Sequence, residues 1–195
     1  HGGGGGPISY LDLKNKIWED YVEGYESDGL FFTSNFFYDY VNSDIYTLGG
    51  YGWYEQKNDL QKYNTQDLKW NSIKYKTSND NLFFPRCKAN LSYDPITNKY
   101  FVYGGQGNES GKQQQGFRNL NDLWTIDMNN LNFDQIWEDN SQYIENTKYE
   151  KVAISSKHKT IFKLVGDQIL SDNSISLEGN LNMSISSLNL RDFKP

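Results

Sequence analysis

A chain of 195 residues is long enough for one sizeable core and short for two domains. Its formal net charge of −6 and sequence pI of about 4.9 speak against nucleic acid, whose phosphates select a basic face. Cys87 is the sole cysteine, so no internal disulfide framework can form, and no stretch reads as a signal peptide or an apolar membrane span. These features predict a reduced, cytoplasmic setting with no membrane and no cofactor. An aromatic content of 16% beside a mean hydropathy of −0.79 suits short strands with one Tyr, Phe and Trp face joined by polar loops.

The first residues, His1 to Gly6, read either as the remnant of a tag or as a glycine stretch that closes a strand. Ile8 to Leu13 then alternates apolar and polar residues, and Lys16 to Tyr21 follows as its partner strand. The next four expected strands are Ser34 to Tyr40, Ile45 to Leu48, Leu60 to Asn64 and Lys69 to Ile73. A second set of four lies near Cys87 to Tyr93, Lys99 to Tyr103, Asp122 to Ile126 and Asp134 to Glu138. A Pro95 to Asn98 turn joins its first two strands. A weaker set comprises Val152 to Ser155, Thr160 to Val165 and Ile185 to Leu190.

These sets are copies. Asn35, Tyr38, Asp39 and the pair Gly49-Gly50 recur 55 positions later as Asn90, Tyr93, Asp94 and Gly104-Gly105. Asn58-Asp59-Leu60 repeats as Asn121-Asp122-Leu123, with Gln61 where the second copy has Trp124, and Val165-Gly166 replaces the glycine pair in the last set. Trp18 and Trp70 each lie six steps beyond a strand-ending Asp12 or Asn64. Trp137 lies ten beyond Asp127, which reads as an insertion of three or four residues, and Ile136-Trp137-Glu138-Asp139 matches Ile17-Trp18-Glu19-Asp20.

A period near 50 built of short strands is the signature of propeller blades. The glycine pairs followed by an aromatic strand and a spaced tryptophan resemble kelch repeats. That resemblance implies an all-β propeller of four-stranded antiparallel blades, about three and a half of them here. As one propeller region over 1–195, it comprises a partial blade at 1–21, blades at 33–74 and 87–139, and an incomplete blade at 150–195. On this reading the chain is either part of a larger propeller, completed by blades from the same or another chain, or a ring whose two ends meet in one shared blade, and the first is the expectation. The repeat residues are Gly49, Gly50, Gly104, Gly105, Trp18, Trp70, Trp124 and Trp137.

The resemblance also implies a non-enzymatic protein- or peptide-binding platform, a scaffold or substrate adaptor. The alternative it raises is an enzymatic, carbohydrate-active propeller similar to galactose oxidase or to sialic-acid epimerases. The copper site of the former asks for two histidines, whereas this chain has only His1 and His158, and no metal site is expected.

In an antiparallel blade the loop after the second strand and the loop before the first emerge on one side. Tyr51 to Asn58, Gln106 to Leu120 and Asp167 to Ser184 fall there, as do the connections Val22 to Leu30, Tyr75 to Pro85 and Asn140 to Tyr149. Long loops on a rigid scaffold are where binding residues concentrate, so this side is the expected contact face. Its candidates are the aromatic cluster Tyr51, Trp53 and Tyr54 as apolar anchors, and Arg86 and Arg118 as bidentate partners for carboxylates. Blade packing and loop tethering are the competing roles for these residues. Gly105 to Lys112 misses the phosphate-loop spacing, because Gln106 stands where a glycine belongs and Gln113 follows the lysine.

Overall fold

The computed structural model describes residues 8–21, 33–64, 69–78, 82–138, 148–155, 160–167 and 183–189. In chain order the strands are β1 (Ile8–Asp12), β2 (Ile17–Tyr21), β3 (Asn35–Asp39), β4 (Asp44–Gly52), β5 (Glu55–Asn64) and β6 (Lys69–Ile73). They continue as β7 (Lys76–Thr77), β8 (Arg86–Cys87), β9 (Asn90–Asp94), β10 (Lys99–Tyr103), β11 (Gln106–Gly107) and β12 (Arg118–Asn119). The last are β13 (Asp122–Asp127), β14 (Asn132–Glu138), β15 (Lys148–Ser155), β16 (Thr160–Asp167) and β17 (Met183–Asn189). The protein is therefore all-β, with a short 3-10 turn at Gln113–Gln115. No helix of the described residues is long and apolar enough to cross a membrane.

The chain gathers into two compact units. The first takes residues 1–75, 82–88 and 107–117, and the second takes 76–81, 89–106 and 118–195.

The first unit holds a four-stranded antiparallel meander in the order β3-β4-β5-β6, together with the separate β1-β2 hairpin. Strand pairing puts Phe37, Tyr46, Leu48 and Leu60 on one face, all of them buried, with the Phe37 and Tyr46 rings stacked at 5.4 Å. Tyr63 and Trp70, opposite each other on the other face, bring their rings to 5.2 Å. Fully burying side chains of this size contributes about 1.5–3 kcal/mol each.

The second unit repeats the plan as β9-β10-β13-β14, with β7 added in parallel beyond β14. One face clusters Phe101, Tyr103 and Leu123 with Ile136 and Trp137. The other carries Tyr100, Val102, Trp124, Ile126 and Phe133, every one of them buried. In the same unit β15-β16-β17 forms a three-stranded antiparallel sheet, and β15 runs alongside β9.

The two meanders superimpose in register as well as in order. Leu48 faces Leu60 where Tyr103 faces Leu123, and Thr47 faces Gln61 where Val102 faces Trp124. The backbone repeats too. The left-handed residues Thr33, Ser43, Gly49 and Gly50 return 55 positions on as Lys88, Asn98, Gly104 and Gly105.

One hairpin design serves four connections. Each strand ends at an aspartate, Asp12, Asp39, Asp94 or Asp127, and a four-residue loop brings the next strand into pairing. In every case the Asp carboxylate accepts a hydrogen bond from the backbone amide two residues on, at 2.8 to 3.0 Å. The fourth loop residue, Lys16, Ser43, Asn98 or Leu131, then takes positive φ. The carboxylate nucleates the turn and the left-handed residue closes it, the usual economy of a hairpin built around a type I turn.

Two details depart from the sequence reading. Trp137 does not occupy the place held by Trp18 and Trp70, and β13 to β14 contains no inserted loop residues. Trp18 and Trp70 face Leu11 and Tyr63, one rung from the loop. The residue in that place on β14 is Phe133, opposite Ile126, whereas Trp137 faces Leu123 beyond a bulge at Leu123/Trp124. The second departure is at Gly49-Gly50, which does not end its strand. Gly104-Gly105 follows the end of β10 as expected, but β4 runs through its glycines to Gly52. Positive φ at Gly49 and Gly50 absorbs a bulge after Leu48, and pairing resumes at Gly50 with Lys57.

Candidate functional site

Because β4 continues past its bulge, Tyr51 to Asn58 is not a loop. Three further rungs, Gly50 with Lys57, Tyr51 with Gln56 and Gly52 with Glu55, carry the hairpin outward to a two-residue turn at Trp53-Tyr54. Both turn residues have positive φ, 57° and 61°, the type I′ geometry that asparagine and glycine adopt with ease. A residue with a side chain pays about 1–2 kcal/mol for that conformation, so an aromatic pair here is a strained choice. Both rings are turned out to solvent, Trp53 64% and Tyr54 66% exposed. Such strain persists only where the surroundings over-determine it, and it concentrates at functional positions.

The surroundings are supplied by residues 107–117 of the same unit, a strap laid against the hairpin tip. Gln56 N–H donates to the Gly111 carbonyl at 2.7 Å, and Gln113 N–H donates to the Tyr54 carbonyl at 3.2 Å. Glu55 and Lys112 form an isolated antiparallel bridge between them. The Tyr51 hydroxyl donates to Gln113 Oε1 at 2.6 Å, and its ring meets Phe117 edge-on at 6.0 Å. The strap closes on itself through Asn108, whose Nδ2 donates to the carbonyls of Lys112 and Gly116 at 3.0 and 2.7 Å.

Gly111 is the point of closest approach. Its φ is +71°, and a Cβ there would lie 2.4 Å from the Gln56 carbonyl oxygen and 3.0 Å from the Pro85 side chain. Around the tip the side chains are mostly neutral amides, with Gln113, Gln114 and Gln115 exposed. Lys57 donates to Glu55 at 2.6 Å and, chiefly through that bond, holds its carboxyl below the usual carboxylate range.

The arginines divide. Arg86 is fully buried and cannot meet a partner's carboxylate as expected. Its guanidinium stacks 4.2 Å from the Phe83 ring centroid and its Nε donates to the Phe84 carbonyl at 3.0 Å, so it tethers chain inside the first unit. The weakly hydrated, planar guanidinium stacks on a buried aromatic face more readily than an ammonium does. Arg118 is exposed at the start of β12 in the second unit.

Beside Arg86, Tyr75 donates its hydroxyl to the Asn58 carbonyl at 3.0 Å. Its pKa is pushed up to about 12, by burial first, then by Asp59, with Arg86 opposing. Asn58 in turn donates to the Phe83 carbonyl at 3.2 Å, so the Asn-Asp-Leu motif anchors the chain that carries Arg86.

Of the candidates, the structure brings Tyr51, Trp53, Tyr54 and the strap together at one tip. The loops 22–30, 140–147 and 168–182 and His158 lie outside the described residues. Sequence reasoning missed Asn108 and Gly111 as the strap's fixed points, although Asn108-Glu109-Ser110-Gly111 is a turn composition. No protein-family model matches the chain, and no curated protein matches it.

Proposed function

We propose that this chain is a kelch-type interaction module, whose repeated β-meanders are propeller blades and whose Trp53-Tyr54 hairpin tip docks on a protein or peptide partner. The single observation that carries the reading is the exposed aromatic pair held in a strained two-residue turn on a rigid, repeat-built sheet. Rigid aromatic side chains lose little conformational entropy on binding and dominate interface hot spots. Neutral amides from Gln113 to Gln115 beside them supply adaptable hydrogen bonds without long-range charge. The matching registers and the shared hairpin loops support the repeat half of the reading.

Site-specific photo-crosslinking tests the docking half. A photoreactive phenylalanine placed at Tyr54 should yield a discrete crosslinked product in extracts of the source cells. The same probe at Ile96, also exposed but on a four-residue loop, should not. Equal products from both positions would overturn the assignment of the contact to the tip.

A further inference from the structure

We infer that residues 107–117 act as a lock on the Trp53-Tyr54 turn: the aromatic pair keeps its strained geometry only while the strap is docked, and Gly111 is where the lock closes. The inference concerns the free protein and stands whether or not the tip binds a partner.

The hairpin extension beyond the Gly49-Gly50 bulge has three rungs and an unfavourable turn, too little to hold itself in water. Its base is held against β8, where Gln56 Nε2 donates to Cys87 Sγ at 3.2 Å, and what grips it at the turn is the strap. Tyr54, the second turn residue, and Gln56 on β5 each make a backbone hydrogen bond to strap residues, and Tyr51 on β4 is tied to Gln113. The contacts therefore grip both arms of the hairpin just behind its tip.

Their closeness depends on glycine. The approach of Gly111 to the Gln56 carbonyl leaves no room for a side chain, so the strap docks only with glycine at that position. Asn108 holds the strap's own turn in shape from the far side, through two carbonyls that bracket the 3-10 turn. A sheet end that needs an external clamp to maintain strained residues has two arrangements, docked and released, and any event at the strap is transmitted to the aromatic pair.

Amide hydrogen exchange on the full chain tests the lock. Gly111→Ala should raise exchange at Gln56 and Gln113 at least about tenfold and carry the neighbouring rung amides, from Gly50 to Lys57, with them. Amides of Leu48 and Leu60 deeper in the sheet should stay protected. Adding Trp53→Asn with Tyr54→Gly to that variant should return the rung amides to near wild-type protection, because a relaxed turn no longer needs the clamp. Should Gly111→Ala expose the deep amides as well, Asn108→Ala replaces it, loosening the strap without placing a Cβ against Gln56. Rung amides that remain protected in the strap variant, or that stay exposed after the turn is relaxed, overturn the inference.

Discussion

Arg86 shows what a single residue hides from its sequence. In a chain with few arginines an arginine before a strand reads either as a ligand for carboxylates or as a loop tether, and its guanidinium, stacked on Phe83 inside the first unit, takes the second role. Phe83 and Phe84 are close neighbours in sequence, but only burial of the segment turns the guanidinium back over them rather than out to solvent. Phe83→Ala should cost about 3–5 kcal/mol in denaturant unfolding, since the ring is fully buried and Arg86 loses its platform with it. Tyr75 offers a second test at this scale. Its folded pKa of about 12 exceeds the ordinary value of 10.0, so the folded state holds the proton more tightly. The contribution is complete below pH 10 and fades as pH rises toward 12. Tyr75→Phe should flatten that alkaline decline, and at neutral pH it should cost about 1 kcal/mol for the lost hydrogen bond to Asn58.

Hairpins were the most legible elements, because alternation and terminal aspartates mark them locally. Pro95 to Asn98 is legible as a turn from its composition, and the same four-residue design recurs after Asp12, Asp39 and Asp127. Leu131→Gly should stabilise the protein by about 0.5–1 kcal/mol, since glycine relieves positive φ at some entropic cost, while Asn98→Gly should not, because asparagine tolerates that conformation and its side chain bonds the Tyr93 hydroxyl and Asn129. The tryptophan repeat was less legible. An identical Ile-Trp-Glu-Asp tetrapeptide suggested equivalence, but identity of letters is not register, and Phe133 fills the place in the second meander. Phe133→Ala should therefore destabilise by about 3–5 kcal/mol, and Trp137→Ala, whose side chain is half-buried, by less. The Trp53-Tyr54 turn was invisible for the opposite reason. Neither residue has turn chemistry, so the segment read as a loop carrying aromatics.

Across the whole molecule, copies at a fixed offset predicted sheets of matching register, and the two meanders fulfil that because pairing and burial reinforce the same alternation. Which segments complete each unit was not legible, since 107–117 joins the first unit across intervening residues of the second, and no periodicity marks a strap. The proposed docking lies with the exposed Trp53-Tyr54 tip that this strap grips. Replacing Trp53 by Asn and Tyr54 by Gly relieves strain while removing both exposed rings, so stability and binding should move in opposite directions. The decisive measurement is the affinity of this double variant, beside its melting temperature, for the protein captured by the Tyr54 crosslinker. The account predicts binding at least about tenfold weaker, with a melting temperature equal to or above that of the unaltered chain. Undiminished affinity in a folded variant would contradict it.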